Sequence, residues 1–61
     1  MWQLILVDLS GNVRNGGLCK CLDGDVALNE AWYRAYVMQA NYGIRIRSVV
    51  CQFISSERNL Q

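Results

Sequence analysis

The sequence predicts an α+β domain: a three-stranded antiparallel sheet of element order β-β-α-β, spatial order 2-1-3, with one helix packed on one face. Three observations predict it. An aliphatic run, Trp2-Gln3-Leu4-Ile5-Leu6-Val7, opens the chain; an apolar stretch of helical length lies between Asp25 and Gly43; and Ile44-Arg45-Ile46-Arg47 alternates with a period of two. Gly, Asn and Asp punctuate the segments between them.

The first strand is expected over residues 2–9, with Trp2, Leu4 and Leu6 on one face and Ile5, Val7 and Leu9 on the other. Apolar groups on both sides suit a central strand. Ser10-Gly11-Asn12 and Asn15-Gly16-Gly17 both carry turn residues, because Gly and Asn accept positive φ cheaply. The hairpin loop is therefore expected within residues 10–17, with Val13-Arg14 extending a strand. A short second strand follows over residues 17–22, placing Cys19 and Cys21 on one face and Leu18, Lys20 and Leu22 on the other. Lysine in the middle of an outward face fits an edge strand.

Asp25 is the expected N-cap, where a carboxylate accepts orphan backbone N–H groups and suits the helix dipole. At 3.6 residues per turn, Leu28, Ala31, Trp32, Ala35, Gln39 and Tyr42 share the side expected to face the sheet, with Trp32 as its largest plug. Val26, Tyr33, Val37 and Ala40 lie almost opposite. Only Glu30, Arg34 and Asn41 form a polar wedge, with Glu30 and Arg34 spaced for an i, i+4 ion pair. Gly43 stops the helix. The third strand is expected over residues 44–55, one-sided at first and two-sided after Ser48. About twelve extended residues span about 40 Å, so this strand is expected to bend near Ser48 or to pair partly outside its own subunit. Residues 1–55 form a single domain on this reading, and 56–61 a polar C-terminal tail.

Composition limits the function. The chain has 61 residues, 52% of them hydrophobic, with six basic and five acidic side chains for a net charge of +1. That balance points to no class of charged partner. A chain this short buries only about 60% of its unfolded surface, and small scaffolds compensate with disulfides, metal or oligomerisation. Three cysteines, an odd number, and no secretory signal argue against disulfides and for a cytoplasmic protein. Cys19 and Cys21 are expected to be too close in an extended strand to bridge each other. The opening apolar run is cut at Asp8 and is too short to span a membrane.

Histidine is absent, which removes the commonest general base. Structural zinc takes four ligands in pairs with longer spacers than Cys19-Lys20-Cys21 offers. Asp23-Gly24-Asp25 lacks the remaining oxygen ligands of a calcium loop, and Asn15-Gly16-Gly17 lacks the lysine of a phosphate loop. No catalytic residue, cofactor or metal is therefore expected. The apolar excess is expected to face a partner instead: a second copy, making a homodimer, together with a larger protein. The residues expected to do this are Tyr33 and Val37 on the helix's second stripe, Arg45 and Arg47 at the start of the third strand, and Val49 and Phe53 further along it. The expected function is a small non-enzymatic protein-binding module, an inhibitor or adaptor of the kind that phages and other mobile elements encode. A nucleic-acid-binding dimer using Arg45 and Arg47 is the alternative.

Overall fold

The computed structural model describes residues 1–54; the expected tail lies outside them. The elements are β1 (Trp2–Asp8), β2 (Val13–Cys19), α1 (Gly24–Tyr42) and β3 (Ile46–Phe53). They form one three-stranded sheet of order β2-β1-β3, with both pairings antiparallel. The expected fold class and strand order stand. β1, which carries aliphatic side chains on both faces, is central.

The first hairpin differs from expectation. The turn spans the residues between Asp8 and Val13, with Gly11 at φ 88°. Asn15-Gly16-Gly17 is not a turn but part of β2. Leu4 pairs with Gly17 and Ile5 with Asn15, which leaves Gly16 as the extra residue of a β-bulge. Glycine is required twice here. Gly17 sits at φ 86°, and a Cβ on Gly16 would lie 2.9 Å from the Leu4 carbonyl oxygen. Residues that read as a turn in isolation serve equally well as a bulge, and the earlier Gly11 turn leaves them that role.

A second irregularity explains the change of character in β3. Asp8 pairs with Ile46 and Val7 with Ser48, so Arg47 is the inserted residue. One extra residue reverses the in–out alternation. Ile46 faces the helix, and beyond the bulge Val49, Cys51 and Phe53 do, through their pairings with Leu6, Leu4 and Trp2. Of the two expected outcomes for this strand, the irregularity beside Ser48 is the one observed. Its far half pairs with β1 as far as Trp2 opposite Phe53, and Ile54 N–H donates to the Met1 carbonyl at 2.9 Å.

The helix starts two residues earlier than expected. Asp23, not Asp25, is the N-cap: its Oδ1 accepts from the Asp25 N–H at 2.8 Å. Both aspartates suit a cap, and the first is extended at φ −91°, ψ 123°, as a cap must be. Gly43 closes the helix in the left-handed region at φ 69°, its N–H on the Gln39 carbonyl at 2.9 Å.

The helix meets the sheet through small residues. Ala27, Ala31 and Ala35 are buried against Leu4, Leu6 and Cys19, with Trp2, Cys21, Met38, Ile46, Val49 and Cys51 packed around them. Trp32 is not the core plug the periodicity suggested; it is 46% exposed. An alanine at every fourth position brings the helix axis close to the strands. A residue one position further round, 100° from Ala31, is pushed to the rim. Arg34 fixes which rim. Its Nη1 donates to the Gly16 carbonyl at 2.8 Å and its Nε to Glu30 at 2.9 Å, so that flank overhangs β2. Leu28 and Trp32, on the other side of the alanine stripe, overhang β3.

Candidate functional site

The most distinctive property of this fold is how little it buries. Leu4 and Leu6 are the largest fully buried side chains, and the rest of the buried apolar core is Cys19 and three alanines. Against them, twelve large apolar or aromatic side chains among the described residues are exposed, from Leu9 to Phe53.

Nine of these twelve lie on three surfaces; Leu9, Leu22 and Tyr42 stand outside them. The first is the sheet face away from the helix. Register places Ile5 and Val7 at its centre, Val13, Asn15 and Leu18 on β2, and Ser48, Val50 and Gln52 on β3. Gln3 Nε2 donates to Asn15 Oδ1 at 2.8 Å and ties down one polar corner. No element among the described residues covers this face. The second is the rim between α1 and β3, toward which the helical phase turns Leu28 and Trp32, and where Phe53 is exposed with its ring edge-on to Trp2 at 5.1 Å. The third is the outer face of α1, with Val26, Tyr33 and Tyr36 exposed.

The two sheet edges are unlike. β2 carries the bulge at Gly16, half-buried Arg34 and exposed Lys20 close by, and glycines in place of side chains. Such features discourage further strand pairing. From Ser48 to Phe53, β3 has no charge, no glycine and no bulge. It also joins the first two apolar surfaces, since Val50 faces the open side and Phe53 the helix side.

The expected partner residues do not form one surface. Tyr33 is exposed on the outer helix face and Val37 is half-buried beside it. Arg45 and Arg47 are exposed at the opposite end of β3 from Phe53, Arg45 just before the strand and Arg47 at its bulge. Val49 packs against the core from the helix side. Sequence reasoning missed Leu28, Trp32 and Val50. The period-two pattern of β3 could have identified Val50 once a bulge was placed at Arg47.

Polar chemistry is concentrated at the hairpin end. Asp8 is 6% exposed, and its carboxylate accepts from the Ser10 and Asn12 N–H groups, both at 2.9 Å, and from Arg14 Nε at 3.2 Å. These bonds organise the turn. An open depression of about 270 Å³ lies alongside, lined by Asp8, Leu9, Ser10, Arg14, Gly43, Ile44 and Arg45. Burial pushes the Asp8 carboxyl up, but the Asn12 N–H, the Arg14 guanidinium and the Ser10 N–H outweigh it and hold the group below its ordinary value. A carboxyl lowered by folding stabilises the fold above its unfolded pKa of about 3.9, and that contribution is lost as pH falls through the folded value. The urea midpoint of the wild type should therefore drop between about pH 5 and about pH 3, and the drop should shrink in Asp8→Asn. An unchanged acid slope in the variant would assign the pH dependence elsewhere.

Among the described residues, no three His, Cys, Asp or Glu side chains come together to hold a metal ion. No helix among them is long and apolar enough to cross a membrane. No protein-family model matches the chain, nor does any curated protein or solved structure.

Proposed function

We propose that this protein is a small, non-enzymatic protein-binding module that works as a homodimer and occludes a surface on a larger protein. The observation that carries the proposal is the imbalance, among the described residues, between two fully buried leucines and twelve exposed large apolar side chains. Monomeric proteins seldom leave contiguous apolar patches of this kind uncovered. Inhibitors and adaptors encoded by phages and other mobile elements are commonly of this size, which is the class of role we assign to it.

The dimer contact is placed at the β3 edge. Antiparallel pairing of Ser48–Phe53 with the same segment of a second copy would extend each sheet to six strands. A two-fold axis there brings no like charges face to face, because the segment has none. The same contact brings Leu28, Trp32 and Phe53 of both copies toward one seam. Aromatic residues of this kind anchor interfaces. The open sheet face and the outer helix face with Tyr33 and Val37 remain for the larger partner.

Sedimentation equilibrium at micromolar concentration tests the dimer. The wild type should run as two chains. Val50→Lys, which places a charge on the exposed side of the edge strand, should run as one chain with its far-ultraviolet spectrum retained. A wild type that stays a folded monomer overturns the dimer. Arg45 and Arg47, both exposed at one end of β3, favour a second reading as a nucleic-acid-binding dimer. Retention on DNA or RNA at low salt that collapses in an Arg45→Ala/Arg47→Ala double variant would select it.

A further inference from the structure

The expectation that Cys19 and Cys21 stand apart holds only for an extended backbone. β2 ends at Cys19, the chain turns toward the Asp23 cap, and the two Sγ atoms come to 3.2 Å. Cys19 is buried against Leu4 and the alanine stripe, whereas Cys21 is half-exposed and its Sγ also lies 3.5 Å from the Asp23 carbonyl oxygen. Cys51 belongs to the other edge of the sheet: it pairs with Leu4 on β3, and β1 separates it from β2. The protein thus holds one half-exposed thiol beside one buried thiol, with the third cysteine across β1 from them.

We propose that Cys19 and Cys21 are a redox-active dithiol that closes to an intramolecular disulfide by exchange with small-molecule disulfides of the glutathione class. The Cys21 thiolate, the exposed member, attacks one sulfur of the oxidised glutathione, breaks its S–S bond and releases one glutathione thiolate. The Cys19 thiol then loses its proton to water, and its sulfur attacks Cys21 Sγ, releasing the second glutathione. Two protein thiols are oxidised, one glutathione disulfide is reduced, and no further oxidant is needed. The Cys19 hydrogen bond, and then burial, raise the Cys21 thiol above its ordinary value, so closure accelerates as pH rises. Burial likewise raises the Cys51 thiol. A ring spanning only Lys20 constrains little of the unfolded chain. The bridge is therefore of the labile kind that exchanges with a thiol pool rather than the kind that staples a fold.

The full chain, incubated anaerobically with oxidised glutathione and then alkylated, tests this by intact mass and peptide mapping. The wild type should lose two alkylatable thiols, retain no glutathione, and give a cross-linked Cys19–Cys21 peptide while Cys51 remains alkylated. Cys19→Ser should trap one glutathione on Cys21. Cys21→Ser should slow thiol loss by about tenfold or more, because the exposed nucleophile is gone. Far-ultraviolet spectra confirm that the near-isosteric serine variants fold, with Cys19→Ala as the substitute where Cys19→Ser does not. Persistent glutathione on wild-type Cys21, or a bridge through Cys51, overturns the proposal.

Discussion

Leu4→Ala is expected to remove about 2–5 kcal/mol of stability, the usual cost of emptying a leucine-sized site in a core. At about 0.05–0.15 kcal/mol per residue, the 61-residue chain has only about 3–9 kcal/mol in total. The variant should therefore be largely unfolded at 25 °C without denaturant. The loss is expected at the upper end because Leu4 fills half of the large-residue core. Urea unfolding of both proteins at one matched concentration measures the difference, since a dimer's stability depends on concentration. A loss below about 1 kcal/mol would mean that contacts between chains, rather than the Leu4–Leu6 pair, hold the fold.

The second large effect separates the two sides of the helix. Ala31 has no exposed surface and Trp32, its neighbour, is 46% exposed. Ala31→Glu places a carboxylate between α1 and the sheet, at a position with no exposed surface, and should abolish the helical signal and the cooperative unfolding transition. Trp32→Glu should keep both, and should weaken association if the α1–β3 rim is the seam. Equal damage at both positions would show that Trp32 is part of the protomer's interior.

That contrast also shows where sequence reasoning reaches and where it stops. Sheet order followed from connectivity, because a hairpin and then a right-handed crossover put the third strand beside the first. The aliphatic groups on both faces of β1 agree with a central place. Gly43 ended the helix by the one property that glycine alone offers cheaply. The helix's inner face was harder to read. Apolar side chains surround α1 almost entirely, so periodicity offered no unique stripe, and size was the wrong guide: the tryptophan looked like a plug and the alanines like filler. Distance between helix and sheet decides that question, and no local pattern encodes it. The second strand failed for a related reason. Asn15-Gly16-Gly17 permits a turn and a bulge equally, and only pairing to Leu4 and Ile5 separates them.

The apolar excess itself was plain in the composition, but its location was not. Two single-residue insertions, at Gly16 and Arg47, each reverse which side chains face out. Without them the outward set of β3 would be read one residue out of phase, and Val50 would be assigned to the wrong face. The proximity of Cys19 and Cys21 was hidden by the same kind of local detail, the end of β2 one residue before Lys20.

The alanine stripe has a consequence for how this lineage can drift. Positions 27, 31 and 35 lie buried against the sheet, so they leave the protomer little room for a larger side chain, whereas Tyr33 and Tyr36 on the outer face are free to change. Distant cousins would keep a four-residue rhythm of tiny side chains long after their rings had been exchanged.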